Sequence, residues 1–129
     1  MLAAQKKILI IDPNHDERTV MAAFLAAQNY QVDTVDNLTG AIKKLSEGDF
    51  VCLILDVDLP EIKGYEAVSI LKNINPQVKI IMTAKRNTKE LEARVREQDI
   101  FFYFIKSFGK DELSLAINNA FHKKGDTQW

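Results

Sequence analysis

Cysteine occurs once in these 129 residues, as Cys52. A single thiol makes no internal disulfide and no multi-cysteine zinc centre. An excess of one charge is also missing, since 17 Lys+Arg stand against 18 Asp+Glu for a formal net charge of −1. A domain that grips a phosphate backbone usually carries a basic excess, so no direct nucleic-acid contact is expected. No apolar run approaches the roughly 18–20 residues needed to cross a bilayer. The charged start, Met1 to Lys7, precedes an apolar stretch too short for a signal-peptide core. A cytoplasmic protein without membrane contact is therefore expected. Internal repeats and low-complexity segments are absent as well. What is present is ample apolar material, 47% of residues, in a chain too short for two cores of usual size.

That material is arranged in a rhythm. Ile8-Leu9-Ile10-Ile11 is continuous and apolar, the pattern of a strand buried on both faces. Asn14 and Glu17 then form a capping box, in which Glu17 returns a hydrogen bond to Asn14. Val20, Met21, Phe24 and Leu25 follow at helical spacing. Tyr30 to Val35 is a second strand, and Leu38, Ala41, Ile42 and Leu45 mark a second helix stopped by Gly48 as its C′ residue. Phe50 to Leu55 is the most apolar stretch and ends abruptly in Asp56. A turn with Pro60 and Gly64 opens a helix with Val68, Leu71 and Ile74 inward. Val78 to Met82 is a fourth strand ending at Thr83. Asn87 to Glu90 is a second capping box, opening a helix whose apolar face (Leu91, Val95) is thin. Ile100 to Ile105 is a fifth strand ending at Lys106, and Leu113, Ala116, Ile117, Ala120 and Phe121 make the last helix. Five strands alternating with five helices predict an α/β, doubly wound, parallel sheet with right-handed crossovers and helices on both faces.

In such a sheet, ligands bind beyond the carboxyl ends of the strands. Those ends read Asp12, Asp56, Thr83 and Lys106. Any one polar strand end has a plain explanation, because loops begin there. Two acids, a hydroxyl and an ammonium converging on one edge point to a site, since buried charges need partners. Carboxylates suit Mg²⁺, a hard cation that prefers oxygen. A carboxylate beside it can attack phosphorus and form an aspartyl phosphate. The cation and a lysine neutralise the transferring group, while threonine hydrogen-bonds one of its oxygens.

These residues in this order resemble the receiver domain of two-component response regulators, over residues 7–122. The resemblance rests on Leu53-Ile54-Leu55-Asp56-Val57-Asp58-Leu59-Pro60 followed by Gly64, with Thr83-Ala84 and Lys106 downstream. It implies a flavodoxin-like fold of strand order 2-1-3-4-5, with a receiver domain over 1–123 and a frayed tail or linker start over 124–129. It further implies Asp56 as phosphoacceptor, with Thr83 and Lys106 contacting the phosphoryl group. Mg²⁺ would be held by Asp12, Asp56 and the backbone of Asp58, and Thr83 and Tyr103 would act as the switch pair. A histidine kinase or phosphotransfer protein would be the donor. A downstream protein or effector domain would receive the output, and the face of helix 4, strand 5 and helix 5 would serve a homodimer. Such a domain is not a turnover enzyme; it only takes up and loses its own phosphoryl group.

The sequence departs from that family's pattern at three places. Pro13 stands where a second acid is usual. One unit-charge pair at about 4 Å is worth roughly 4 kcal/mol at an effective dielectric near 20 before desolvation, so cation binding should weaken. Asp58 is a candidate to restore the charge, or else to pair with Lys85. Ser107 replaces a proline that follows the lysine through a cis peptide. A non-proline cis bond costs about 2.5–4 kcal/mol, so Lys106-Ser107 should be trans, the next loop re-routed and Lys106 displaced. Gln98-Asp99 replaces a usual Gly-Ala pair. A phosphorylation-independent interaction module is the alternative these changes raise.

Other residues have blander readings. His15 is solvated in the first loop, and His122 suits the dipole of the last helix end. Cys52 is buried and inert. Phe101, Phe102 and Phe104 flank Tyr103, and at least one should face outward or be covered by a partner, although such residues are more often core. Trp129 is a terminal residue. Asp56-Val57-Asp58 also looks like the DxD of haloacid-dehalogenase-type phosphatases, although that motif ordinarily ends a first strand rather than a third. A flavin mononucleotide binder of the same topology lacks its phosphate cradle here.

Overall fold

All four side chains of Ile8–Ile11 are fully buried, which requires cover on both faces of the strand that carries them. The computed structural model describes residues 7–122 and supplies that cover. Five strands, β1 (Lys7–Ile11), β2 (Gln31–Val35), β3 (Cys52–Asp56), β4 (Lys79–Ala84) and β5 (Phe102–Ile105), alternate with five helices. The helices are α1 (His15–Ala26), α2 (Leu38–Glu47), α3 (Gly64–Ile74), α4 (Lys89–Arg96) and α5 (Lys110–His122). The strands form one parallel sheet in the order β2-β1-β3-β4-β5. Fold class, strand order and the two helical faces agree with the sequence reading.

The period of two along each strand divides the core into two layers. Leu9, Ile11, Leu53, Leu55, Ile80 and Met82 face α2, α3 and α4 through Leu45, Leu71 and Val95. Ile8, Ile10, Cys52, Ile54, Ile81 and Phe104 face α1 and α5 through Leu25, Leu113 and Ile117. Cys52 is buried as expected, and burial pushes its thiol pKa up to about 12, which removes its nucleophilic form at neutral pH.

Local details differ from the sequence reading in two places. Gly48 ends α2 in an extended conformation (φ −139°) rather than a left-handed one, so no side-chain-free residue is demanded there. The cap of α4 is Thr88, whose hydroxyl accepts from the Leu91 amide at 3.0 Å; Asn87 is turned to another task. Phe101 and Phe104 are buried and Phe102 is partly buried, so the β5 aromatics form no exposed cluster. Among the described residues the exposed aromatic is Phe108, in a short 3-10 turn over Lys106–Phe108. The reading of 124–129 as a tail, and that of Trp129, lie outside the described residues. Among the described residues no helix is long and apolar enough to cross a membrane.

Gly64 opens α3 directly beneath the end of β3. A Cβ there would lie 2.1 Å from the Asp56 carbonyl oxygen and 2.9 Å from the Val57 Cα. Both obstacles are backbone, so neither can rotate aside. Gly64→Ala should therefore cost about 3 kcal/mol in urea denaturation, the upper range for forced overpacking, and should shift amide resonances around Asp56. A loss under about 0.5 kcal/mol would show that the β3–α3 junction is not tightly packed.

Candidate functional site

Parallel pairing brings the carboxyl ends of β1, β3, β4 and β5 to one edge. Asp12 follows β1 directly, Asp56 closes β3, and Lys106 follows β5. The β3–β4 register sets Thr83 beside Asp56, and the Val57 amide donates to the Thr83 carbonyl at 2.9 Å. Asp12, Asp56 and Thr83 are the three polar side chains among the buried described residues, at 2%, 5% and 1% exposure.

Lys106 is the hub. Its Nζ donates to Asp12 Oδ2 at 2.8 Å, to Glu17 Oε1 at 2.6 Å, and to Asp56 Oδ2. Oxygen atoms of Asp12, Glu17 and Asp56 all lie within 4.8 Å of one another. The other Asp56 oxygen, Oδ1, accepts from the Asp58 amide at 2.7 Å. Asp12 Oδ1 accepts from the Asn14 amide at 2.9 Å, and the Asp12 carbonyl accepts from Arg18 at 2.8 Å.

Electrostatics follow from one ammonium serving three carboxylates. Burial raises the Asp56 pKa, and this outweighs the opposing hydrogen bonds from Lys106 and the Asp58 amide. For Lys106 burial acts to lower the pKa, yet the hydrogen bonds to Asp12, Asp56 and Glu17 outweigh it and hold the ammonium above its ordinary range. The lysine stays charged, and the three carboxylates around it leave the cluster a formal net charge of −2.

Glu17 is the residue that the sequence reading placed elsewhere. Half of the predicted box exists, because Asn14 caps α1 by accepting from the Glu17 amide at 2.9 Å. The reciprocal bond is replaced. The Asn14 amide is already taken by Asp12, so the Glu17 side chain is released toward the pocket. Its spacing, five residues past Asp12 and one turn into a helix that starts at the sheet edge, was the available signal.

Asp58 is placed otherwise than anticipated. Its exposed carboxylate pairs with Lys63 at 3.0 Å, neither with Lys85 nor with the three clustered acids. An acid poised beside Asp56 to protonate a leaving group, as the phosphatase alternative requires, is therefore not formed by Asp58. The Lys106-Ser107 bond is trans, as no cis peptide occurs among the described residues, and the 3-10 turn leads to Gly109 at φ 92°. The expected displacement of Lys106 does not follow, because its side chain reaches Asp56 from the re-routed backbone. His15 is exposed, with Nδ1 at 3.2 Å from Arg18, outside the carboxylate cluster.

Tyr103 is buried, and burial raises its pKa. Its hydroxyl donates to Asn87 Oδ1 at 2.9 Å, and the Asn87 amide nitrogen donates to Glu92 Oε1 at 2.7 Å. Glu92 in turn pairs with Arg96 at 3.3 Å.

This arrangement has close relatives. Residues 8–118 match the response regulator receiver domain family. The DNA-binding transcriptional regulator NtrC of Azospirillum brasilense is 28% identical over 113 residues, covering 88% of this chain and 24% of that protein. The transcriptional regulatory protein CusR of Escherichia coli is 26% identical and covered over 52% of its length. The chain thus spans from about a quarter to about half of these curated relatives. Among solved structures, the response regulator TrrA of Thermotoga maritima, in complex with Mg²⁺ and beryllofluoride, is 28% identical at a TM-score of 0.79, covering 90% of this chain and 99% of that one. A two-component response regulator from Clostridium difficile superposes at a TM-score of 0.87 over 95% of this chain and 100% of that one; its 20% identity speaks for the fold alone. With its parallel 2-1-3-4-5 sheet and acidic pocket, this chain belongs to the response regulator receiver domain family.

Proposed function

We propose that this receiver domain takes a phosphoryl group onto Asp56 from a phosphohistidine on a histidine kinase or phosphotransfer protein. The observation that carries the reading is the state of Asp56. One carboxylate oxygen is fixed by a backbone amide and the other by Lys106, so the nucleophile is oriented in a pocket that opens at the sheet edge. An Asp56 oxygen forms the new P–O bond as the P–N bond of the donor breaks, and the imidazole leaves with the electron pair. Lys106 counters the charge of the incoming phosphoryl oxygens and Thr83 donates its hydroxyl to one of them. Water later cleaves the acyl phosphate and returns the carboxylate.

The donor set suits a divalent cation. It is all oxygen, and the two net negative charges left after Lys106 match one such ion. Asp12 and Asp56 would hold Mg²⁺ with the backbone of Asp58, whose own carboxylate is engaged by Lys63. When bound, Mg²⁺ neutralises charge on the transferring group. The output passes from Thr83 to Tyr103 and the face of α4, β5 and α5, which would meet a downstream protein, an effector domain or a second copy. A cytoplasmic location and a domain boundary near residue 123 belong to the same reading. We retain no turnover activity in it.

Two measurements test these statements. Incubation with acetyl phosphate and Mg²⁺ should add one phosphoryl group by intact mass, and Asp56→Ala should abolish the gain. An unchanged mass at millimolar reagent, or equal labelling of the variant, overturns the proposal. The second concerns charge. Because the folded-state pKa of Asp56 is raised, its contribution to stability is present below the unfolded value and lost as pH rises through the folded one. In EDTA, Asp56→Asn should stabilise the fold at pH 7 by on the order of 1 kcal/mol, and the gain should shrink as pH falls toward 4. Urea titrations across that range read the effect, and a variant less stable than the parent at pH 7 would contradict it.

A further inference from the structure

Position 13 is where the family pattern has its second acid, and proline there offers neither a carboxylate nor an amide proton. The pocket nevertheless holds three carboxylates, because Glu17 reaches into it from the first turn of α1. We propose that Glu17 replaces the missing acid as the third carboxylate of the divalent-cation site, an inference that rests on the phosphoacceptor reading above.

Three observations support it. First, Glu17 already binds a cation in this pocket, since its Oε1 lies 2.6 Å from the Lys106 ammonium, with only 10% of the lysine side chain exposed. The ammonium stands among the same three acids that a divalent ion would need. Second, the geometry is enforced locally. Asp12 Oδ1 occupies the Asn14 amide that a capping box would assign to Glu17, while Asn14 holds the Glu17 amide from the other side. The helix start is satisfied without the Glu17 carboxylate, which is left for the pocket. Third, no other acid takes the place: Asp58 is engaged by Lys63, and Asp16 is exposed and outside the cluster. Glu17 thus restores to the site the charge that Pro13 removes, from the helix rather than from the strand end.

The test is binding of Mn²⁺ alone, a paramagnetic substitute for Mg²⁺, followed by electron paramagnetic resonance of the free ion. Three proteins are compared: the parent chain, Glu17→Gln, and the double variant Pro13→Asp/Glu17→Gln. Circular dichroism confirms that each is folded. Glu17→Gln should bind Mn²⁺ about 10-fold or more weakly than the parent, the loss usual for removing a metal-site partner. Pro13→Asp/Glu17→Gln should recover most of that loss, which a merely structural glutamate would not allow. Equal affinity of parent and Glu17→Gln overturns the inference while acetyl phosphate labelling of Asp56 still stands. Absence of Mn²⁺ binding in the parent at millimolar ion overturns it too. Loss of labelling instead removes the phosphoacceptor reading itself.

Discussion

One ammonium held by three carboxylates is the interaction on which the rest of this structure turns. Removing four charged groups from water is expensive, and their mutual attraction repays the cost only when the geometry is tightly set. The sheet sets it. Asp12, Asp56 and Lys106 follow or close strands whose parallel register is locked by two apolar layers, so three of the four groups are placed by backbone alone. The apolar cores are therefore the support that makes a pocket of net negative charge tolerable. Within that pocket Asp56 is buried, and desolvation disfavours its charged form. Such local conflict with folding rules marks a functional position.

The fourth group shows how a local choice of hydrogen bond alters chemistry. A helix start has several amides to satisfy, and Asn14, Glu17 and Asp12 compete to supply the acceptors. Asp12 accepts from the Asn14 amide and Asn14 accepts from the Glu17 amide. That division leaves one carboxylate, that of Glu17, without a duty at the cap. Across the pocket Ser107 follows Lys106 through a trans peptide within a 3-10 turn, and the lysine side chain still reaches Asp56.

The fold was legible in the sequence because its signals are redundant. Continuous apolar runs ended by Asp12, Asp56, Thr83 and Lys106 fix both the strands and the edge where they meet. Capping details were less legible, since a single amide can be claimed by more than one acceptor; Thr88 rather than Asn87 caps α4, and Asp12 displaces Glu17 from Asn14. Side-chain partners of exposed acids were least legible. Asp58 has both Lys63 and Lys85 downstream in the sequence, and only the β3–α3 loop path, with its isolated bridge between Asp58 and Lys63, decides which one it meets. Burial of the β5 aromatics was likewise a tertiary matter, settled by the two helical layers rather than by alternation.

The same reasoning bears on how a change at Asp56 would travel in the proposed switch. Thr83 lies beside Asp56, and four residues later Asn87 holds the Tyr103 hydroxyl with one amide atom and Glu92 with the other. Between them Ala84 is buried but Lys85 and Arg86 are exposed, and α4 buries only Val95 among its eight residues. An element with so little apolar anchorage has a low cost of local displacement. Its position is set instead by the polar chain Tyr103–Asn87–Glu92–Arg96, whose outer members lie at the surface and are weak individually. A shift of Thr83 toward a phosphoryl oxygen would pull this short segment at one end while Tyr103 restrains it at the other. Because the ring is already buried, the restraint favours one placement of α4 in the unmodified protein, and the surface offered to a partner depends on whether the Asn87 bond holds.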